Sequence, residues 1–374
     1  MKVRVKVLSP LHISADEPLE RDFNFFEKDG DVYFLDEFRV VDYFLNRGFG
    51  INWIYLNRGG KRVLSENAKK EIIKNRLYTK KVKNFLKLTK NEIIPFISSK
   101  RTFIPGSSIK GAIKTAIINC LLNANNQNPV DCMYEIKDMK ERCESLIKSS
   151  KNKSYSKNRL KDDRGEEKTL DDDLVEFFSN LVVRDVESDF KTQIYKSINI
   201  KICKDYQTYR KNKVERIANF VEGIVAGSEF EMEIIDKKGY FRNLGRICNG
   251  FYLSKLKEDI NYAPLCYSEK GEEYPECEND YKELEDCILE RVYFYKGGMI
   301  NNLSLSNKIF LLNIGRFGGA RKKSFDNFRN IKNSHCDNKK YTTTKTYALD
   351  KKGHPPYFEK KLLPFGWVLC EILE

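Results

Sequence analysis

Residues 103–116 combine chain-breaking residues, hydroxyls and lysines in an order typical of a helix start that binds an anion. The run reads Phe-Ile-Pro-Gly-Ser-Ser-Ile-Lys-Gly-Ala-Ile-Lys-Thr-Ala. Its Pro-Gly pair ends the preceding extended segment, and Ser107 or Ser108 can cap the next turn by accepting hydrogen bonds from its free N–H groups. The remaining N–H groups and the positive end of the helix dipole suit a phosphate. The predicted anion contacts at this helix start are Gly106, Ser107 and Ser108.

The same predicted helix has two contrasting faces. Lys110 and Lys114 are one turn apart, so their ammonium groups lie on one face. The opposite face carries an apolar stripe of the kind that packs into a core. This stripe consists of Ile109, Ala112, Ile113, Ala116, Ile117 and Leu121. The lysine face either binds phosphate or is the solvated face of an ordinary amphipathic helix, and this segment alone does not distinguish the two.

A second run, glycine-rich and basic, follows a predicted strand at residues 308–314. It covers residues 315–325 and reads Gly-Arg-Phe-Gly-Gly-Ala-Arg-Lys-Lys-Ser-Phe. Glycines allow a bound backbone to approach closely, and successive N–H groups can form an anion-binding nest. The spacing matches neither a P-loop nor a dinucleotide-binding fingerprint. The predicted contacts in this run are Arg316, Gly318, Gly319, Arg321, Lys322 and Lys323, and the candidate stacking platforms are Phe317 and Phe325.

The charge of the chain points to a polyanionic partner. Lys and Arg number 67 against 54 for Asp and Glu, which gives a net charge of +13. Residues 308–361 contain 14 Lys and Arg but only 4 Asp and Glu, so much of the excess lies around the glycine-rich run. Nucleic acid is the commonest partner of such a surface. No membrane partner is predicted, because the sequence has neither a basic amphipathic helix with a Trp or Phe face nor a long apolar span.

Few residues have the types needed for acid–base or nucleophilic catalysis. The chain has 3 histidines, of which His12 follows the first predicted strand. A loop histidine with a pKa near neutrality can act as a general base on a ribose 2′-hydroxyl. The alternative, which we favour, is that His12 forms local hydrogen bonds that shape its loop. Asp185 is expected to cap a turn at the end of a strand, and no catalytic residue is predicted.

Metal ligands and cofactor motifs are also not apparent in the sequence. The 10 cysteines are scattered and form no Cys-x-x-Cys pair, so a zinc ribbon is not expected. His335, Cys336 and His354 do not have the spacing of a common metal site. We therefore predict no metal and no cofactor, and we expect reduced thiols in a cytoplasmic protein.

The order of apolar patterns predicts an α+β protein in which short strands alternate with helices. Strands are predicted at residues 2–8, 32–35, 93–97, 181–186, 223–235, 308–314 and 367–372, with a bulge at Gly227. Helices are predicted at residues 36–45, after Pro105, at 244–257 and at 280–296. Two sets of elements indicate two units, residues 1–240 and 241–374, each with a helix-covered sheet of the split β-α-β ferredoxin type. Helical insertions are predicted at about 61–90 and 125–175, and the domain boundary falls between 236 and 245.

Several of these segments together resemble the RAMP superfamily of CRISPR RNA-binding proteins. The resembling segments are residues 9–14, Ser-Pro-Leu-His-Ile-Ser, and the run 104–116 described above. Residues 182–186, Val-Val-Arg-Asp-Val, and the glycine-rich 312–319 also fit, as does the closing Pro-Phe-Gly-Trp-Val. Within the superfamily, the chain is most similar to the family of fifth Csm subunits of type III-A effector complexes.

The resemblance implies tandem ferredoxin-like (RRM-like) domains and a function without catalysis. It implies a subunit that caps the head of the Csm filament near the 3′ end of the guide RNA and takes part in guide maturation and antiviral interference. The implied partners are the guide RNA, nearby target RNA, the backbone RAMP subunit and the small helical subunit, with host nucleases as an open alternative. By this resemblance, the guide backbone is contacted by Ser107, Ser108, Lys110 and Lys114, and the Gly315–Gly319 loop lies beside it.

Three alternatives stay open at the level of the sequence. The first is a Cas6-like endoribonuclease that processes guides with His12 and needs no metal. The second is a RAMP subunit of a Cmr complex, because Cmr subunits share the helix motif. The third is a scaffold whose basic surface binds acidic proteins and whose contact with RNA is incidental. The 10 acids at residues 269–290 give this alternative some support.

Overall fold

The computed structural model describes residues 1–14, 17–58, 61–86, 88–97, 102–123, 159–161, 167–169, 176–203, 213–214, 219–262, 306–318, 341–350 and 361–373. The helices are α1 (Glu37–Leu45), α2 (Ile51–Ile54), α3 (Glu66–Lys74), α4 (Gly106–Asn123) and α5 (Leu244–Tyr262). The first strands are β1 (Lys2–Val7), β2 (Leu19–Glu20), β3 (Phe25–Lys28), β4 (Asp31–Leu35), β5 (Tyr55–Arg58), β6 (Lys61–Leu64), β7 (Tyr78–Lys83), β8 (Glu92–Ile94) and β9 (Phe103–Ile104). The later strands are β10 (Arg159–Lys161), β11 (Glu167–Thr169), β12 (Leu181–Val183), β13 (Val186–Glu187), β14 (Thr192–Cys203), β15 (Lys213–Val214), β16 (Asn219–Ile224), β17 (Glu229–Asp236), β18 (Ile309–Asn313), β19 (Tyr341–Asp350), β20 (Lys361–Pro364) and β21 (Trp367–Ile372).

A five-stranded antiparallel sheet with two helices forms the largest core. Its strand order is β12-β17-β1-β21-β18. In the central strand β1, alternation of polar and apolar residues buries Val3, Val5 and Val7. These valines share one hydrophobic cluster with buried side chains of α4 and α5. The two helices are joined directly, because the Tyr252 hydroxyl donates to the Ala112 carbonyl at 2.9 Å.

The order of elements around this sheet is strand–helix–strand–strand–helix–strand. The elements are β1, α4, β12, β17, α5 and β21, and β18 is added outside β21. The mixed strand and helix content agrees with the predicted α+β class, and the ferredoxin-like assignment stays a prediction. Strands from both sides of the predicted boundary near residue 240 pair within this one sheet. The division into residues 1–240 and 241–374 stays a prediction, as does a second unit of the same kind.

A buried amide covers the outer edge of the five-stranded sheet at β18. Asn249 on α5 donates to the Ile309 carbonyl at 2.8 Å and accepts from the Leu311 N–H at 3.0 Å. Lys308 and Ile314 form backbone hydrogen bonds to β21 and to the residue just before it. Because alternate residues of a strand bond to opposite sides, the backbone groups of Ile309 and Leu311 face away from β21. The side chain therefore takes the place of a pairing strand.

Ten strands form a second sheet, in which β14 is the longest member. The main path is β2-β8-β16-β14-β7-β4-β3, and β15, β19 and β20 are attached beside β14. A separate hydrophobic cluster lies between β4 and the helices α1 to α3, with Val40, Phe44 and Ile72 at its centre. Helix α1 begins as predicted, because the Asp36 carboxylate accepts from the Arg39 N–H.

The two predicted helical insertions contain strands as well as helix in the parts that the structure describes. Within residues 61–90 only α3 is helical, and it lies between β6 and β7. Strand β7 forms because Tyr78, Thr79 and Val82 favour extended backbone and pair with β4. Within residues 125–175, the described residues are the paired strands β10 and β11. The rest of this insertion and the predicted helix 280–296 lie outside the described residues.

The predicted strand at residues 223–235 is in fact two strands in different sheets. Strand β16 belongs to the ten-stranded sheet and β17 to the five-stranded one. Gly227 lies in the turn between them with a φ of 89°, and its N–H donates to the Val7 carbonyl. It is therefore a turn residue and not a bulge, because glycine enters this backbone region without steric cost. Similarly, residues 181–186 divide into β12 and the start of β13.

Among the described residues, no helix has the length and apolar character needed to cross a membrane.

Candidate nucleic-acid interface

The start of α4 is capped by a carboxylate and not by the predicted serines. The helix begins at Gly106, whose N–H donates to Asp185 Oδ1 at 2.7 Å. Ser107 and Ser108 lie in the first turn, so the prediction that one of them is the cap is wrong. Asp185 has the structural role expected for it. One N–H that the sequence assigned to a phosphate is thus already bound to the protein's own anion.

Gly106 is needed for close packing at this helix start. A Cβ atom at this position would lie 2.0 Å from the carbonyl oxygen of Val183 and 2.9 Å from the carbonyl carbon of Arg184. No side chain fits at such distances, so the backbone after β12 can cross the helix only over a glycine. The sequence suggested a ligand as the reason for this glycine, and the structure gives a second chain segment instead.

The apolar stripe of α4 is buried as predicted, while its lysine face stays accessible. The buried members are Ile109, Ala112, Ile113, Ala116 and Ile117, and the side chain of Leu121 lies outside the described residues. Lys110 and Lys114 are half-buried on the other side of the helix. The Lys114 ammonium lies 4.8 Å from the centre of the Phe178 ring, a distance suited to a cation–π contact.

A third lysine, which the sequence analysis missed, lies near this face. Lys237 follows β17, and its N–H donates to the Asn180 carbonyl at 2.9 Å, two residues from Phe178. Burial and the positive charges of Lys114 and Lys237 lower the pKa of Lys110. No sequence pattern links residue 237 to α4, because the contact depends on the pairing of β12 with β17.

The described part of the glycine-rich run, residues 315–318, packs against the loop that contains His12. Gly315 has a φ of 94°, and a Cβ atom there would lie 2.3 Å from the His12 carbonyl oxygen. The Arg316 N–H donates to the same oxygen at 2.9 Å, and the Arg316 guanidinium donates to the Ser14 hydroxyl. Gly318 ends a short 3-10 turn. Gly319, Arg321, Lys322, Lys323 and Phe325 lie outside the described residues.

Phe317 is partly buried against two aromatic side chains. Its ring is stacked on the His12 imidazole at 5.2 Å between centres and lies 5.1 Å from the Phe365 ring. The imidazole covers one face of the ring, and stacking of a base on Phe317 stays a prediction. The aromatic residue fixes the end of β18 to the loop after β1.

His12 is a buried, neutral structural residue. Its side chain is 1% exposed, and Nδ1 lies 2.6 Å from the Glu222 carbonyl oxygen. A carbonyl only accepts, so Nδ1 carries the proton and Nε2 is left as an acceptor. The pKa of His12 is lowered to about 4, chiefly by burial; the hydrogen bond to the Glu222 carbonyl raises the pKa, and the nearby Arg316 charge lowers it. Among the described residues, Nε2 has no hydrogen-bond partner. This environment supports the local role that we favoured.

Glu222 holds the His12 loop in place through a buried ion pair. Its fully buried carboxylate accepts from Lys80 at 2.6 Å, from the Thr192 hydroxyl at 2.8 Å and from the Phe96 N–H at 3.0 Å. This network connects β16 with β7, β14 and the segment after β8. The sequence signal for this network is a carboxylate that follows the apolar Phe220 and Val221 within β16.

The described residues contain no group of three His, Cys, Asp or Glu side chains placed to hold a metal ion. His335, Cys336 and His354 lie outside the described residues, so the expectation of no metal stays a prediction. Cys120, Cys248 and Cys370 are free thiols. Burial raises the pKa of all three, which keeps them protonated and poorly nucleophilic.

Comparison with known proteins identifies the fold and the family. The structure is similar to a chain in the cryo-EM structure of a Csm–crRNA–target RNA ternary complex of a type III-A CRISPR-Cas system, with a TM-score of 0.53, 19% identity, and coverage of 99% of this chain and 100% of that chain. It also matches the crystal structure of T. onnurineus Csm5, with a TM-score of 0.46, 19% identity, and coverage of 98% and 99%. No curated protein sequence matches significantly. The family model of the RAMP superfamily matches residues 4–322. The chain therefore belongs to the RAMP superfamily.

Proposed function

We propose that the protein is an RNA-binding subunit of a type III-A (Csm) CRISPR effector complex. The observation that carries this proposal is the shared fold, over the full length of both chains, with a chain of a Csm–crRNA–target RNA complex. Membership of the RAMP superfamily and the net charge of +13 support it. The proposed partners are the guide RNA, nearby target RNA and other Csm-type subunits, chiefly the backbone RAMP subunit and the small helical subunit.

The proposed position is that of the fifth Csm subunit. In this position the protein caps the head of the filament near the 3′ end of the guide, in the cytoplasm, and supports guide maturation and interference. Motifs spread from residue 9 to residue 368 support this assignment by their resemblance to that family. The tandem ferredoxin-like architecture, which the order of elements around the five-stranded sheet supports, belongs to the same proposal.

The proposed RNA contact is with the backbone and not with base edges. Guides differ in sequence, so a subunit that holds all of them must bind phosphate and ribose. Ser107, Ser108, Lys110 and Lys114 are the proposed contacts on α4, and Arg316 is the proposed contact in the described part of the glycine-rich run. Gly106 has a packing role instead. Gly318, Gly319, Arg321, Lys322 and Lys323 remain predicted contacts.

We further propose that the subunit does not cleave RNA. The support is that His12, the candidate base of the endoribonuclease alternative, is buried and has a pKa of about 4. A general base for a 2′-hydroxyl needs access to the ribose and a pKa closer to neutrality.

The proposal is tested by tagging the protein in its native host, purifying it gently, and sequencing the RNA that accompanies it. Guide RNAs with a common repeat-derived 5′ end, together with Csm-type proteins, are the expected result. Cmr-type proteins would assign it to the related complex. Repeat hairpins without partner proteins would support the endoribonuclease alternative, and assembly that survives nuclease treatment without enriched RNA would support the scaffold.

A further inference from the structure

Lys110, Lys114 and Lys237 form a group that we call the lysine triad. Two members are one turn apart on α4, and the third is anchored through Asn180 beside Phe178, the residue that the Lys114 ammonium contacts. Three positive charges are thus brought together by two separate parts of the chain. Their mutual repulsion has an energetic cost that a bound anion would remove.

The lysine triad has no internal counter-ion in the part of the chain that the structure describes. None of the three ammonium groups there lies within ion-pair distance of a carboxylate. By contrast, Arg184, which follows β12, contacts Glu233 at 2.9 Å. The nearby Asp236 carboxylate is used by the N–H groups of Tyr240 and Phe241. Within the described part of the chain, the triad therefore concentrates positive charge that no carboxylate compensates.

We propose that the lysine triad binds one phosphodiester group of the guide RNA backbone, with Lys237 as a binding residue outside the family motif. This inference rests on the proposed function. Ammonium groups are flexible point charges, so three of them can surround a phosphate without reading a base. The half-buried position of Lys110 beside two like charges supports an anionic ligand at this point, because an anion offsets their mutual repulsion.

The expected effect of losing one lysine follows from counter-ion release. For single strands, each neutralised phosphate contributes about 0.7 to the magnitude of the slope of log K against log salt. Relative to 1 M salt, one such phosphate raises the affinity about eightfold at 50 mM NaCl and about threefold at 200 mM. Lys237→Gln leaves Lys110 and Lys114 at the same phosphate, so it is expected to lower the slope by less than about 0.7 and to weaken binding most at low salt.

The experiment uses the full-length protein and a fluorescent single-stranded RNA of mixed sequence, over a range of NaCl concentrations. Lys238→Gln is the matched control, because its ammonium is placed over the Tyr240 ring at 5.6 Å and it lies next to Lys237 in the sequence. The double variant Lys110→Gln/Lys237→Gln shows whether both lysines contact the same phosphate, since shared contacts give less than additive losses. Thermal unfolding confirms that the variants are folded.

The inference is supported if Lys237→Gln reduces the slope, Lys238→Gln does not, and the double variant is less than additive. It is refuted if Lys237→Gln binds like the wild type at every salt concentration, or if the wild-type chain does not bind the RNA at 50 mM NaCl. Copurification of guide RNA from the native host is measured separately. Guide RNA in that experiment together with an unaffected Lys237 variant would leave the proposed function standing and reject only the triad.

Discussion

Acidification from pH 7 to pH 5 is expected to weaken the folded state through the single residue His12. Its pKa is about 4 in the folded protein and 6.5 in its unperturbed state. The unfolded chain therefore binds a proton in this range that the folded chain does not. Stability from the neutral imidazole is present above pH 6.5 and is lost as the pH falls toward 4.

The magnitude follows from the two pKa values. The whole difference corresponds to about 3 kcal/mol in the free energy of unfolding, of which about 2 kcal/mol is lost between pH 7 and pH 5. Other groups contribute to the pH dependence with the opposite sign. Burial raises the pKa of Asp22 and of Glu27, which stabilises the folded state as the pH falls. The contribution of His12 must therefore be measured as a difference between two proteins.

The suitable reference protein is His12→Asn. The amide nitrogen of asparagine can donate to the Glu222 carbonyl in place of Nδ1, but it does not titrate. Urea unfolding at pH 7, 6 and 5, followed through tryptophan fluorescence, compares the two proteins. The wild type is expected to lose about 2 kcal/mol more than the variant between pH 7 and pH 5. Equal losses, or an imidazole that titrates near 6.5 by NMR in the folded protein, would refute this reasoning.

The remaining predictions concern the packing that positions α4 and the His12 loop. Gly106→Ala should lower the free energy of unfolding by about 1–3 kcal/mol or prevent folding, because the added Cβ atom overlaps the backbone after β12. Gly111→Ala, where nothing lies within 4 Å of the added Cβ atom, should raise the free energy of unfolding by about 0.5–1 kcal/mol. Urea midpoints that shift in the same direction would contradict this. Asp185→Ala should cost about 1 kcal/mol through the lost cap, and faster hydrogen exchange at the first turn of α4 is the direct measurement. Glu222→Gln should cost about 3–5 kcal/mol because it removes the counter-charge of the half-buried Lys80 ammonium. The double variant Glu222→Gln/Lys80→Met should recover most of this loss; a double variant as unstable as the single one would show that the ion pair is not the cause.

Local patterns in the sequence were sufficient to predict the elements that form the main core. The apolar stripe of α4 and the alternation in β1 each depend on periodicity within one segment, and both are buried as expected. The prediction of a single strand at residues 223–235 is wrong because it also depends on periodicity within one segment. Its apolar residues continue across Gly227, and nothing within the segment shows that the chain moves from one sheet to another there.

The parts of the site that the sequence did not reveal depend on distant contacts. Asp185 reaches the start of α4 across 79 positions, and Glu222 meets Lys80 across 142. Lys237 joins the α4 lysines only because β17 pairs with β12. The function of Gly106 was also misread, because a glycine that admits a ligand and a glycine that admits another chain segment have the same local sequence.

The side chain of Asn249 limits how this protein can assemble with others. An exposed strand edge is a template on which another chain can add a strand, and repeated addition leads to open-ended growth. At β18 the two backbone groups of Ile309 and Leu311 are already occupied by a fully buried amide. A neighbouring subunit cannot extend the five-stranded sheet there without expelling that amide from the core. Growth by strand addition is therefore terminated at this edge, and a neighbour must dock by another surface.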